Sequence, residues 1–397
     1  MRIAIIGHGR EGRSVQKFLK RSAKYRESEI QVLDHKNDPH YLRHLDQFDL
    51  IFRSPGVPYN LPEIQKAIKK GIRVTSATKL FFDLCPAKIV GVTGTKGKGT
   101  TSTLIYKLLK AAGKRVLLAG NIGKSPLEIL PKVTKSTIVI LELSSFQLWD
   151  LTKSPATAVI TDIFPDHQDV HAGMKDYLGA KANIAKFQKK SDTIFYFRSN
   201  ALAKKLARNG SGKKIPVDAP DTLEKNRILA ATVAKHLGCP DRIIDRTIKT
   251  IKGLEHRLEL VRSHGGIRYY DDSASTNPNT TAAAVNSFNE PLILIAGGKD
   301  KNLDYKPLAQ AIKKSGQVRL LILIGENKEK ISRSVGKSGV EIRTTSDLVA
   351  ATQLAQNRAL TNRASVVLFS PGAASFDMFT DYADRGAQFK KIVRNIK

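Results

Sequence analysis

Residues 91–104 read GVTGTKGKGTTSTL, a glycine-dense turn that ends in Gly97-Lys98 and passes into a helix-compatible run. Just upstream, Lys88–Val92 is a short β-prone stretch. A strand feeding such a turn and then a helix points successive backbone N–H groups at one spot, which the helix dipole makes positive. A polyphosphate fits there. Gly94, Thr95, Lys96, Gly97, Lys98, Gly99 and Thr100 are read as its cradle. Lys98 would act as point charge, and Thr100 or Thr101 would offer a hydroxyl to Mg²⁺. The general P-loop pattern places a glycine five residues before the Gly-Lys pair; here that place is Val92, with Gly91 and Gly94 on either side.

Working outward, 397 residues are enough for two or three domains, each with its own core. Hydrophobic content of 41% fits a globular chain. No run approaches the roughly 18 apolar residues that span a bilayer, so no membrane partner is expected. Met1–Gly7 reads as a strand leading into a glycine turn, not as a signal peptide. Cys85 and Cys239 lie far apart without CxxC spacing, which suits reduced thiols in the cytoplasm. The net charge of +30 is spread over scattered lysines; residues 1–87, for instance, carry 16 basic and 9 acidic side chains without a basic block. With no RRM, zinc-finger or basic-zipper signature, nucleic acid is not the expected partner. The charge reads as a solvated surface that also attracts anionic substrates.

β-prone apolar runs alternate with amphipathic stretches of helix length, the pattern of an α/β protein with largely parallel sheets. Strands are expected at Arg2–Ile6, Lys88–Val92, Val116–Ala119, Thr137–Leu141, Thr157–Asp162, Thr193–Phe197, Leu292–Ala296, Leu320–Ile324 and Ser365–Phe369. Leu258–Ser263 and Ile267–Asp271 read as a hairpin turning at His264-Gly265-Gly266. Breaks at Cys85-Pro86-Ala87 and at Lys252-Gly253-Leu254, after a long helical stretch 221–250, divide the chain into 1–87, 88–253 and 254–397.

The first unit opens with a strand and Gly7-His8-Gly9-Arg10-Glu11-Gly12, and its second strand ends at Asp34. A GxGxxG turn with an acidic residue downstream suits a diphosphate or nucleoside. Ser54-Pro55-Gly56-Val57 follows another apolar strand, where open sheets place ligands. Glu142 continues a buried strand in the sheet of the phosphate turn; buried Glu is costly unless paired or metal-bound, which points it at Mg²⁺. Thr161–Asp169 ends the next strand with oxygen and imidazole donors, among them His167. Lys181 is, by composition, one more lysine on a lysine-rich helix.

GTKGKGTT, ELSSFQL at 142–148, Asp166-His167 and Ala180-Lys181 together resemble the Mur ligase family, as do Ser54-Pro55-Gly56, Asn121-Ile122-Gly123, His256-Arg257-Leu258-Glu259 and the C-terminal Ser370–Asp377 run with Arg385-Gly386. The similarity spans essentially the whole chain in order. It implies three α/β domains: an N-terminal Rossmann-like domain for a UDP moiety, a central P-loop ATPase-like domain with a parallel sheet, and a C-terminal Rossmann-like domain for an incoming amino acid. It implies an ATP-dependent amide ligase that joins D-glutamate to UDP-N-acetylmuramoyl-L-alanine through an acyl phosphate, in peptidoglycan precursor synthesis. The phosphate-cradle residues would then bind ATP. Gly9, Asp34, Ser54, Gly56 and Asn121 would bind the UDP-linked substrate, and Asp272, Thr276, Asn277, Ser375, Phe376 and Tyr382 the amino acid. Thr100, Glu142 and His167 would hold Mg²⁺, joined by Lys181 once carbamylated by CO₂. A monomer with small-molecule substrates is expected.

Two positions depart from the family pattern. Gly99 replaces the hydroxyl residue after Lys98, and this Lys-Gly-Thr order resembles folylpolyglutamate synthase, a relative in the same superfamily. Ala274 stands where the family pattern has a lysine for the amino-acid carboxylate. Lys299, Lys301 and Arg385 are the cations that could substitute, and a ligase for another amino acid or a folylpolyglutamate synthase is the alternative. Asn226 is a candidate for the adenine, without distinguishing spacing.

Overall fold

A computed structural model describes residues 1–167, 170–220, 224–250, 255–361 and 363–396. It packs as two compact units, Met1–Ala219 with Lys225–Ile251, and Pro220–Glu224 with Lys252–Lys397. Among the described residues there are three sheets. The first joins β1 (Arg2–Ile6), β2 (Glu29–Leu33), β3 (Leu50–Arg53) and β4 (Arg73–Thr75) in the order β2-β1-β3-β4, all parallel. The second holds β5 (Lys88–Thr93), β6 (Val116–Gly120), β7 (Ile138–Glu142), β8 (Thr157–Ile160), β9 (Thr193–Phe197) and β10 (Lys213–Val217). Its order is β10-β9-β8-β5-β7-β6, again all parallel.

These two sheets share one apolar core. Ile3, Phe52 and Phe81 belong to the same buried cluster as Ile89, Leu141 and Ile160. The break expected at Cys85-Pro86-Ala87 falls between the helix Ala77–Leu84 and β5, with that core on both sides. The other, at Lys252-Gly253-Leu254, lies outside the described residues.

The second unit carries β11 (Glu259–His264), β12 (Ile267–Asp271), β13 (Leu292–Gly297), β14 (Val318–Ile324), β15 (Glu341–Thr344) and β16 (Val366–Phe369), in the order β11-β12-β16-β13-β14-β15. The expected hairpin is there, β11 antiparallel to β12, and the remaining neighbours are parallel. β13, β14 and β16 are wholly or almost wholly apolar and buried, which suits parallel strands covered on both faces.

Differences from the sequence expectation have simple causes. β8 stops at Ile160 instead of reaching Asp162, because Thr161 and Asp162 turn to the phosphate loop. The helical stretch 221–250 is broken into Lys225–His236 and Asp241–Thr250, with Gly238 at φ +78° and Pro240 between them. β4, β10 and β15 add to the expected strands; they are short, charged edge strands without an apolar run, a composition that discourages further pairing.

Candidate active site

β5 delivers Thr93 into a turn whose glycines adopt conformations a side chain resists, Gly94 at φ +155° and Gly97 at φ +90°. A Cβ on Gly94 would fall on Thr161 Oγ1. That hydroxyl donates to Lys96 O (2.5 Å), and the Thr95 amide donates to Asp162 O (2.6 Å). Thr95 Oγ1 meets Tyr177 Oη at 2.8 Å and donates to Phe164 O at 3.0 Å. The turn is therefore held from the carboxyl end of β8 and from the helix Met174–Lys186. The helix Lys98–Ala111 starts at Gly97, so its free N–H groups open at the turn. Lys98 Nζ donates to Thr95 O (3.1 Å). Thr101 is buried and donates to Asn226 Oδ1 (3.3 Å), which leaves Thr100, half-buried, as the more available hydroxyl. Asn226 also lies where a Cβ on Gly97 would project, against the phosphate turn.

Glu142 is the last residue of β7, in register with Val92 of the phosphate strand and Gly120 of β6. It is buried, and Asn121 Nδ2 donates to its Oε1 (3.0 Å). The Asn121 amide donates to Glu142 O (2.8 Å), an approach close enough that a Cβ on Gly120 would overlap that carbonyl. Lys181 is fully buried, with Nζ donating to Gly94 O (2.9 Å) and Thr93 Oγ1 (3.4 Å) and lying 4.9 Å from the Tyr177 ring centroid. Burial, reinforced by the Lys98 charge, holds its amine well below the usual lysine range, with Asp166 and Glu142 acting in the opposite direction. Composition gave no hint of this; only family likeness singled Lys181 out.

His167 is exposed and left-handed (φ +51°), with its ring 3.6 Å from Asp166 Oδ2 and edge-on to Phe146 at 4.8 Å. Gln168 and Asp169, in the donor-rich run after β8, lie outside the described residues. Sequence reasoning missed His171. Its buried ring contacts Ser145 Oγ (3.0 Å) and Asp176 Oδ2 (3.3 Å) and stacks on Phe146 at 5.3 Å. It ties the ELSSFQL run to the helix that bears Lys181. Among the described residues, the one cluster of three His, Cys or acidic ligand atoms lying within 4.8 Å of one another is His256, Glu259 and Asp271 in the other unit. Lys390 already pairs with Glu259 there, at 3.1 Å.

On the first sheet, Gly9 caps the helix Arg10–Arg21. Asp34 accepts from the His8 amide (2.6 Å) and the Lys36 amide (3.0 Å), which hold its carboxyl below the usual range. Ser54 donates to Gly7 O (2.7 Å) and so braces the turn, while Gly56 is exposed. Glu11 is buried and accepts from Gln147 Nε2 (2.6 Å); burial lifts its carboxyl to about 7 against the pull of that bond and of Arg10.

In the second unit, Asp272 accepts from Ser275 (2.5 Å) and Ser370 (2.7 Å), and Asn277 caps the helix Pro278–Val285. Both brace the loop that presents half-buried Thr276. Ser375 is buried, whereas Phe376 and Tyr382 are exposed, 66% and 46%. Arg385 does not supply the missing cation. It is wholly buried and donates to Ser273 Oγ and O and to the Ala373 and Ala374 carbonyls, all at 2.9–3.1 Å, and burial pulls it down to about 10. Lys299 pairs with Glu326. Lys301, exposed and without an ion pair among the described residues, is the remaining candidate.

The family described as Mur ligase middle domain matches residues 92–240, and that described as Mur ligase, glutamate ligase domain matches residues 256–372. A UDP-N-acetylmuramoylalanine--D-glutamate ligase from Acetivibrio thermocellus is 37% identical over 90% of this chain and 85% of its own length. One from Clostridium botulinum is 33% identical over 100% and 97%. Among solved structures, the UDP-N-acetylmuramate-alanine ligase MurC of Thermotoga maritima aligns over 100% of both chains with TM-score 0.57 at 15% identity, a likeness of fold.

Proposed function

The chain belongs to the Mur ligase family, and we propose that it is the ligase that joins D-glutamate to UDP-N-acetylmuramoyl-L-alanine with ATP. The observation that carries this is the meeting, at the carboxyl ends of β5 and β7, of the phosphate turn, Lys98, Glu142 and a buried Lys181 amine. Residues 88–253 serve as the ATP part, 1–87 as the UDP part and 254–397 as the amino-acid part. Gly94–Thr100 cradle the phosphates, with Lys98 on the transferred group. Gly9, Asp34, Ser54, Gly56 and Asn121 line or brace the UDP-substrate site. Thr276, Ser375, Phe376 and Tyr382 meet the amino acid, supported by Asp272 and Asn277, and Lys301 takes the carboxylate role that Ala274 lacks.

The donors suit Mg²⁺. Glu142 presents a carboxylate with one oxygen fixed by Asn121 and the other without a donor among the described residues. Thr100 adds a hydroxyl, and His167 an imidazole. The uncharged amine is the form that adds CO₂, and burial disfavours the charged form of Lys181, so this side chain suits a carbamate, which would be a further oxygen ligand. Bound there, Mg²⁺ would neutralise charge between the triphosphate and the attacking carboxylate.

The chemistry follows from what each group needs. A carboxylate is a poor acyl donor, so the L-alanyl carboxylate first takes the γ-phosphoryl of ATP. Lys98 stabilises the charge that builds on that group. The D-glutamate amine then attacks the acyl phosphate, and the tetrahedral adduct loses phosphate to leave an amide. No helix of the described residues is long and apolar enough to cross a membrane. The proposed enzyme acts on small molecules, in the cytoplasm and as a monomer.

The test is phosphate release by the purified chain with UDP-N-acetylmuramoyl-L-alanine, D-glutamate, ATP and Mg²⁺, expected only when all are present. Release with a folate and L-glutamate in their place, or no amino-acid-dependent release at all, overturns the proposal.

A further inference from the structure

The helix Arg10–Arg21 begins directly after the turn that the proposed function assigns to the UDP moiety, yet its first two side chains end on the other sheet. The Arg10 guanidinium donates to three carbonyls of the loop after β6: Gly123 (2.7 Å), Gly120 (3.1 Å) and Asn121 (3.1 Å). Glu11 accepts from Gln147, in the helix that follows β7. One turn on, Ser14 Oγ lies 2.7 Å from Ser125 Oγ.

Glu142 sits between these two anchored loops. It ends β7, is paired in register with Gly120, and is oriented by the Asn121 amide group. Arg10 therefore grips the backbone whose side chain aims the carboxylate. Gly120 and Gly123 both have positive φ, +113° and +64°, so this loop has a conformation that outside contacts must help to fix.

We propose that Arg10 is a positioning residue that couples the Gly7–Gly12 turn to Glu142, so that filling the UDP site and loading the divalent cation favour one another. This rests on the proposed function for both sites. The physical route is short. A diphosphate at the turn fixes the start of the helix, Arg10 then holds the Gly120–Gly123 backbone, and Asn121 holds the carboxylate. Linkage makes the effect reciprocal, and couplings of this kind commonly amount to about 5–150-fold in affinity.

The test is calorimetric titration of UDP into the full chain, with and without saturating MnCl₂ and a nonhydrolysable ATP analogue. The wild type is expected to bind UDP about tenfold more tightly with the manganese complex present. Arg10→Gln is expected to lose that difference while still binding UDP alone and keeping its unfolding temperature. Arg13→Gln, whose guanidinium reaches, among the described residues, only His8 O of the same turn, keeps the difference and serves as control. Persistence of the coupling in Arg10→Gln, or its absence from the wild type, overturns the inference with the proposed function intact. Failure of the wild type to bind UDP in either condition overturns both.

Discussion

Glu11→Gln is expected to stabilise the protein at pH 8 and to change little at pH 5. The Glu11 carboxyl titrates near 4.5 in an unfolded chain and about 7 in the fold, chiefly because it is buried. Between those values the native chain holds a proton the unfolded chain has lost. Its stabilising contribution is thus complete below about 4.5 and is lost as pH rises through about 7. Moving a pKa from 4.5 to about 7 at about 1.36 kcal/mol per unit amounts to about 3 kcal/mol of penalty in alkaline solution. Glutamine keeps an oxygen for the Gln147 amide and carries no charge, so it removes the penalty and retains the contact. At about 2–4 °C per kcal/mol, the gain at pH 8 is about 6–12 °C in unfolding temperature. Urea unfolding of both proteins at pH 5 and pH 8 measures it. An equal stability difference at the two pH values would refute the reasoning, because an uncharged packing change has no reason to follow pH in this window.

Gly97→Ala forces a side chain into φ +90° and pushes Asn226 off Thr101, at about 1–2 and 1 kcal/mol respectively. ATP affinity should fall about 30–150-fold by calorimetry, whereas Gly113→Ala, equally left-handed at φ +73° with open space around it, should lower stability without touching ATP binding. Lys98→Ala should cut turnover by about 10²–10³-fold, with the circular dichroism spectrum and UDP affinity unchanged. Arg385→Ala strips four hydrogen bonds from buried Ser273, Ala373 and Ala374 groups and should cost about 4 kcal/mol in denaturant unfolding. Lys301→Ala should raise the KM for D-glutamate by about 10–100-fold, the loss of a charge-assisted bond worth about 1.5–3 kcal/mol.

Local chemistry made much of this protein readable from its sequence. The run of strand, glycine turn and lysine at 88–98 needs only near neighbours to define it, because backbone amides and a helix terminus are the elements an anion site is made of. The same holds for the alternation of apolar runs and helices, and for Glu142, whose charge at the end of an apolar strand is conspicuous in itself. What tertiary structure alone decided concerns groups whose environment comes from far along the chain. Lys181 is chemically distinctive because Gly94, Thr93 and Tyr177 surround it, and Arg385 is a structural pin because carbonyls from two loops close over it. Arg10 reaches across more than a hundred residues to Gly120 and Gly123. Side-chain type and spacing set what a residue can do; burial and distant partners set its charge state and whether it faces a ligand or the protein's own backbone.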